Sequence, residues 1–214
     1  MKLTRGTALD TNQVFSVPAD AAALERTAEA LRGRGFGVYL TDGPIEAKDL
    51  VLGLIPEGAE VGAGASNTLA ELGITAVLEN SGRYDAIRPH LRAMDRATEG
   101  RQMRKLGAVP DFWLNSVQAV TQEGQIVLAS ATGSQLAPIA YGAGTVILVA
   151  GAQKVVSNLE MALARLEEYS FPLETAKMKE LYGRGSTINQ VLILNGSSTP
   201  GRISVVLIRE AIGN

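Results

Sequence analysis

A run of 30 residues without a charged side chain, from Gly124 to Gln153, constrains the fold of this chain most strongly. A transmembrane helix needs about 20 predominantly apolar residues, but this run is interrupted by five glycines and by Pro138. Its apolar residues instead form two short blocks, Gln125–Ala129 and Thr145–Ala150, which have the length and composition of fully buried strands. We therefore expect a protein without membrane insertion, built around a buried sheet.

Helical and strand patterns alternate along the rest of the chain. Helices are predicted at Asp20–Arg34 and Asp42–Ile55, and strands at Phe36–Leu40, Glu60–Ala63 and Asp111–Asn115. This alternation is typical of an α/β fold, in which a mostly parallel sheet is flanked by helices on both faces. Because no internal repeat or low-complexity linker divides the chain, residues 1–214 are predicted to form a single domain.

The C-terminal part of the chain differs from the rest in composition. Two β-branched runs, Gln190–Leu194 and Ile203–Ile208, surround the loop Asn195–Gly201. This pattern predicts a C-terminal β hairpin or a pair of edge strands. We therefore expect a β appendage over about residues 186–214, whose open edge could pair two copies of the chain as a homodimer.

Composition and charge exclude several functions. The 214 residues include 20 basic and 22 acidic side chains, a formal net charge of −2, so nucleic acid is not an expected partner. The absence of cysteine excludes disulfides, iron–sulfur clusters and a thiol nucleophile within the chain. His90 is the single histidine, which leaves no ligand set for a dedicated transition-metal site. Met1–Phe15 lacks the apolar segment of a signal peptide, so a cytoplasmic location is expected.

The strongest candidate site is the glycine-rich turn Gly62–Thr68, which joins a predicted strand to a predicted helix. Gly62 and Gly64 allow a tight turn, Ser66 is placed to cap the helix, and free backbone N–H groups there attract an anion. The turn is not a dinucleotide fingerprint, because Asn67 occupies the position of its third glycine, and no Gly-Lys pair of a phosphate-binding loop follows. Two interpretations stay open: an anion site, and a tight turn whose serine only caps the helix.

Other candidate residues are expected near this turn, because the carboxyl ends of parallel strands share one edge of a sheet. Glu123 is the candidate catalytic carboxylate, with a solvated turn residue as the alternative interpretation. The corner Thr132–Gln135 adds Thr132 and Gly133 as candidate ligand-binding residues. Lys154 follows the second buried strand and is a candidate charge partner for an anion, although a lone lysine at such a place is more often solvated.

Three segments, taken in order, resemble the LUD-domain (lactate-utilisation) proteins. They are Val61–Gly73, Ala119–Gly124 and Gly144–Val156, and with the Ser157–Glu168 helix the resemblance spans about residues 36–172. It implies a fold similar to that of the ribose-5-phosphate isomerase and CoA-transferase superfamily, in which a loop of this kind receives phosphate or an acyl group. It also implies a role in the oxidation of L-lactate to pyruvate alongside iron–sulfur partner proteins, and it leaves the cofactor unknown.

The chain departs from these relatives at two places. Relatives often carry cysteines before the last strands, but the segment Gly183–Asn189 has none, which argues against direct metal or redox chemistry by this chain. The second corner carries Thr132, Ser134 and Gln135 in place of an acidic-glycine-arginine pattern, so the resemblance does not define the substrate.

The leading hypothesis is an α/β protein of lactate or related organic-acid metabolism that binds a small anionic metabolite at the glycine-rich turn. Its own step would be acid–base, acyl or phosphate chemistry rather than redox chemistry. The predicted ligand-binding residues are Gly62, Gly64, Ser66, Asn67, Thr68, Thr132, Gly133 and Lys154, and the predicted catalytic residue is Glu123. The alternatives are a non-catalytic subunit that docks onto an iron–sulfur lactate-oxidising complex and a sugar-phosphate isomerase.

Overall fold

The structure is a computed structural model of the chain and describes residues 11–214. The segment Met1–Phe15, in which no signal peptide is predicted, therefore lies outside the described residues over positions 1–10. Between residues 11 and 214, no helix is both long enough and apolar enough to cross a bilayer.

Ten strands and eight α-helices alternate along the described chain. The strands are β1 (Gly37–Thr41), β2 (Glu60–Ala63), β3 (Asp85–Ala86), β4 (Phe112–Ser116), β5 (Ala119–Thr121), β6 (Ile126–Ser130), β7 (Thr145–Gly151), β8 (Val155–Val156), β9 (Gln190–Leu194) and β10 (Ile203–Ile208). The helices are α1 (Ala21–Gly33), α2 (Pro44–Gly53), α3 (Asn67–Glu71), α4 (Ile74–Asn80), α5 (Ile87–Ala93), α6 (Arg96–Ala108), α7 (Leu159–Arg165) and α8 (Phe171–Tyr182).

The centre of the fold is a six-stranded sheet in the order β1-β10-β7-β4-β2-β3, with all neighbouring strands parallel. Its four inner strands, β10, β7, β4 and β2, are largely buried on both faces, to which successive side chains of a strand point in turn. Val146 and Leu148 of β7 join the apolar cluster that includes α1, whereas Ile147 and Val149 join the cluster that includes α2 and α3. The predicted α/β architecture with a mostly parallel, helix-flanked sheet is confirmed.

Helix starts follow from local capping. Asp20 accepts a hydrogen bond of 2.7 Å from the Ala23 N–H and so begins α1 where the sequence predicts. The predicted cap of α2 is different: Gly43, not Asp42, is the N-cap, and Pro44 occupies the first turn, where a missing N–H costs nothing.

A smaller, four-stranded sheet of order β8-β5-β6-β9 packs beside the central one. In it, β5 and β8 are parallel, while the β5–β6 and β6–β9 pairs are antiparallel. The α7 helix contacts β5 and β8, and a separate apolar cluster lies between this sheet and α7. From β4 to β10, the chain therefore passes back and forth between the two sheets. Of the two uncharged strands predicted within Gly124–Gln153, β6 belongs to the small sheet and β7 to the central one.

Of the two predicted C-terminal arrangements, the hairpin is absent from the described residues, and the pair of edge strands is met by β9 but not by β10. β9 pairs with β6 at the edge of the small sheet, whereas β10 lies between β1 and β7 in the interior of the central sheet. All six residues of β10 are buried, and such a strand needs hydrogen-bonding neighbours on both sides and helices on both faces. The segment 186–214 is thus not an appendage, since it supplies one strand to each sheet. Homodimer formation stays a prediction.

Candidate functional site

The glycine-rich turn lies at the carboxyl edge of the central sheet, where β2 ends at Ala63 and α3 begins at Asn67. Ser66 is the N-cap of α3, as predicted, and its Oγ accepts a hydrogen bond of 3.1 Å from the Leu69 N–H. The same hydroxyl donates to Ser116 Oγ at 2.8 Å, which connects the turn to the end of β4. The turn is therefore held by its own serine and by the neighbouring strand.

Gly64 is required by a close approach of β4. A Cβ atom added at Gly64 would lie 1.9 Å from Asn115 Oδ1 and 3.2 Å from Gln135 Oε1. Any side chain here would therefore displace the Asn115 amide. The same contact shows that the Asn115 and Gln135 side chains lie against the turn.

Lys154 is buried directly behind the turn. Its Nζ donates a hydrogen bond of 2.9 Å to Thr68 Oγ1, and only 1% of the residue's surface is exposed. Burial lowers the pKa of Lys154 to about 7; the Arg165 charge lowers it as well, and Glu71 acts in the opposite direction. Lys154, the predicted charge partner of an anion, is therefore buried at the turn and not solvated, which was the alternative interpretation.

Arg165 is a second buried cation close enough to affect Lys154. Its guanidinium donates to the backbone oxygens of Gln153, at 3.1 Å, and Gln118, and to Ser170 Oγ, at 2.9 Å. Burial lowers the pKa of Arg165 to about 10. Within residues 11–214, its Nη2 has no hydrogen-bond partner.

Neither buried cation forms an ion pair with an acidic residue of the described chain. Among residues 11–214, no carboxylate oxygen lies within 4 Å of the Lys154 ammonium or the Arg165 guanidinium. Buried charges in proteins are normally paired, because an uncompensated ion in a low-dielectric interior costs several kcal/mol. The region behind the turn therefore carries positive charge, and Glu71, the carboxylate whose charge acts on Lys154, lies beyond ion-pair distance.

The turn also presents unused hydrogen-bond donors. The Asn115 side chain is 4% exposed, and no hydrogen bond between described residues involves its amide. The backbone N–H groups of Ala65 and Ser66 likewise have no partner in the described chain. Two backbone N–H groups and one side-chain amide at this turn are thus available for hydrogen bonds, and successive backbone N–H groups of a turn are groups that bind carboxylate or phosphate oxygens.

A short segment, Ile212–Asn214, lies across the turn. The Gln153 side chain donates to the backbone oxygens of Ile212 and Gly213, and the Gly213 N–H donates to Glu71 Oε2 at 2.8 Å. A Cβ atom added at Gly213 would lie 2.2 Å from Thr68 Oγ1. This segment therefore covers the Thr68 hydroxyl to which Lys154 is bonded.

Asn67 completes the cover of the turn. Its Nδ2 donates to Asn214 Oδ1 at 2.8 Å, and its Oδ1 accepts a hydrogen bond from the Lys177 ammonium of α8. Asn67 thus connects the turn to α8 and to the covering segment.

The remaining predicted residues fall into two groups. The Thr132–Gln135 corner reaches the turn only through Gln135, while Thr132 and Gly133 bond Ser130 and Ser134 of their own corner. Glu123 is exposed, and its backbone oxygen accepts a 2.6 Å hydrogen bond from Arg34, just after α1. Because α1 ends where β1 begins, Glu123 lies at the amino edge of the sheet, opposite the turn. The structure does not bring Glu123 to the other candidate residues.

Three residues of the site are missed by sequence reasoning. They are Asn115, Gln153 and Arg165, and none of the three belongs to a recognisable sequence motif. The available signals were weak: Asn115 ends a predicted buried strand, and Gln153 directly precedes Lys154. Arg165 lies on the buried face of α7, and that face is buried because the second sheet packs against it.

Comparison with known proteins identifies the family. The LUD domain matches residues 24–208, most of the chain. The chain belongs to the LUD-domain family. This match confirms the predicted resemblance and extends it beyond residues 36–172 to include most of α1 and all of β10. The family suggests a function related to lactate utilisation.

The LUD-domain chain is also similar to solved structures. A DUF162-family protein from Deinococcus radiodurans has 14% sequence identity and a TM-score of 0.54, covering 89% of this chain and 99% of that one. Ribose 5-phosphate isomerase from Plasmodium falciparum has 16% identity and a TM-score of 0.33, covering 54% of this chain and 52% of that one. The eIF2B delta subunit from Chaetomium thermophilum has 12% identity and a TM-score of 0.36, covering 56% and 50%. No curated protein matches the sequence.

Proposed function

We propose that this LUD-domain protein binds a small anionic metabolite of lactate or related organic-acid metabolism at the glycine-rich turn. One observation carries the proposal: Lys154 is buried against Thr68 of the turn, beside buried Arg165, and no carboxylate of the described chain lies within ion-pair distance of either cation. An anion bound at the turn would supply that missing charge and would raise the pKa of Lys154 towards its ordinary value.

The donors around the turn suit a carboxylate or phosphate group. The backbone N–H groups of Ala65 and Ser66 and the Asn115 amide provide hydrogen bonds, and Lys154 provides the charge. The Ser66 hydroxyl, whose proton is donated to Ser116, holds the turn that presents these donors. Hydrogen bonds in which one partner is ionised are about twice as strong as neutral ones, so a charged ligand is favoured over a neutral one. The Ile212–Asn214 segment must move for this ligand to reach Thr68, because Gly213 lies against its hydroxyl.

A thermal-shift screen tests the proposal with phosphorylated sugars, CoA esters, nucleotides, folates, lactate and pyruvate. A ligand present at about 100 times its dissociation constant stabilises a protein by about 2.7 kcal/mol. At roughly 2–4 °C per kcal/mol for a chain of this length, the melting temperature should rise by about 5–11 °C.

The matched variants are Ser66→Ala and Asp95→Ala. Each removes one N-cap side chain, on α3 and on α6 respectively, so each lowers the basal melting temperature through the same mechanism. We expect the ligand-induced rise to be lost in Ser66→Ala and kept in Asp95→Ala. Equal rises in both variants would contradict the assignment of the turn as the site. A flat response to every compound would favour the alternative, a non-catalytic subunit that docks onto an iron–sulfur oxidoreductase.

A further inference from the structure

Resting on this proposed function, we propose that Lys154 is an amine nucleophile that forms an imine with a small 2-oxo acid held at the glycine-rich turn. The proposal concerns the position and surroundings of one side chain. Lys154 Nζ lies 2.9 Å from Thr68 Oγ1, within the turn that would hold the carboxylate. A 2-oxo acid has its carbonyl carbon directly next to that carboxylate.

The surroundings of Lys154 are those that make a lysine amine reactive. A lysine becomes a nucleophile when it is desolvated or lies near another cation, because both conditions favour the neutral amine. Lys154 meets both conditions, since it is 1% exposed and Arg165 lies close by. With a pKa near 7, its neutral fraction at pH 7 is roughly a thousandfold larger than that of an ordinary lysine.

A lysine that served only to hold the fold would be expected to bond a carboxylate or several backbone oxygens. Lys154 has a single hydrogen bond within the described chain, to the Thr68 hydroxyl. Arg165, by contrast, is bonded to Gln153, Gln118 and Ser170. The amine is therefore held in position by one group that can also exchange a proton with it.

The step balances without any further reactant. The lone pair of the neutral Nζ attacks the carbonyl carbon, the N–C bond forms, and the carbonyl π electrons move to oxygen. Nζ gives up its two protons, the former carbonyl oxygen leaves as water, and a C=N bond remains. The Thr68 hydroxyl is the group in contact with Nζ, and it can pass a proton to the departing oxygen.

Access to Lys154 is controlled by the Ile212–Asn214 segment. Gly213 has φ of +68° and packs against Thr68, so alanine there would be strained and would clash with the hydroxyl. Gly213→Ala should therefore unseat the segment and expose the amine without removing any polar group of the turn.

Reductive trapping tests the proposal on the full chain. The protein is incubated with pyruvate and sodium cyanoborohydride, which reduces the imine to a stable amine, and the modified peptides are located by mass spectrometry. We expect an addition equal to the mass of pyruvate less one oxygen atom, on Lys154, at least about tenfold faster than on exposed lysines such as Lys105. Gly213→Ala should accelerate this reaction.

The controls separate a site from general lysine reactivity. Lys105→Arg alters an exposed lysine on α6, away from the turn, and should leave the labelling of Lys154 unchanged. Lys154→Arg should abolish the modification, and lactate, which has no carbonyl group next to its carboxylate, should give none.

Labelling spread evenly over the lysines would overturn the proposal, and so would the absence of labelling at Lys154 in both the unmodified protein and Gly213→Ala. The thermal-shift screen tests the proposed function separately. A thermal shift that depends on Ser66, without trapping at Lys154, would support the anion site and reject the imine. The absence of both the thermal shift and the trapping would reject both the anion site and the imine.

Discussion

Replacing Lys154 by methionine should stabilise the protein at pH 6 and much less at pH 9. Methionine keeps the unbranched shape of lysine and removes the charge that burial makes unfavourable. In the folded protein, burial and the Arg165 charge lower the pKa of Lys154 from 10.5 to about 7. In the unfolded chain the amine is hydrated, so its pKa returns to the ordinary value.

The sign of the effect follows from proton binding. Between pH 7 and 10.5 the unfolded chain binds more protons at Lys154 than the folded protein does, so stability rises with pH across this window. Below pH 7 the amine is protonated in both states, and the free-energy cost of burying the charged amine reaches its full size of roughly 5 kcal/mol. Raising the pH from 6 to 9 should remove about 2–3 kcal/mol of this penalty.

Lys154→Met removes the penalty at every pH and loses the hydrogen bond to Thr68, which contributes about 1 kcal/mol. The variant should therefore be more stable than the unmodified protein by about 2–4 kcal/mol at pH 6, and this advantage should shrink by about 2–3 kcal/mol at pH 9.

The assay is urea unfolding of both proteins at the two pH values. The difference between variant and unmodified protein cancels the titration of all other groups. Lys105→Met, on the exposed surface of α6, is the matched control and should show a stability difference that does not change with pH. An advantage of Lys154→Met that is equal at pH 6 and pH 9, or a loss of stability at pH 6, would refute the account of Lys154 as a buried, uncompensated cation.

Three further predictions follow from single contacts. Gly64→Ala should displace the Asn115 amide, lower stability by about 1–3 kcal/mol and weaken ligand binding, as measured by urea unfolding and thermal shift. Glu123→Gln should leave every ligand-induced thermal shift unchanged, because Glu123 lies at the opposite edge of the sheet; a lost shift would contradict that placement. Asp20→Ala should cost about 1 kcal/mol of stability through the lost cap to Ala23, and an unchanged urea midpoint would disprove it.

The α/β class was predictable because local patterns determine it. The uncharged run predicts β6 and β7 to within one residue at each end, since strands buried on both faces exclude charge. The placement of β10 was not predictable in the same way. A short run of β-branched residues beside a loop looks the same whether its partner is the preceding strand or two distant strands.

The same distinction between local and long-range determinants applies to the candidate site. Ser66 was predictable as a cap, because its role depends on three residues of local sequence. The burial of Lys154 was not, because it results from β8 joining the second sheet and from Ile212–Asn214 crossing the turn. Glu123 was misplaced because a turn after a short strand does not reveal which edge of the sheet it faces.

The most direct test of the anion site is a titration of the ¹⁵N-labelled protein with pyruvate and with inorganic phosphate, followed by two-dimensional NMR. The backbone amides of Ala65, Ser66 and Thr68 report on the turn itself, and those of Gly213 and Asn214 report on the covering segment. The account predicts saturable shifts at all five positions, with those at the turn lost in Lys154→Met. Shifts confined to other regions, or none at the turn at saturating anion, would contradict it.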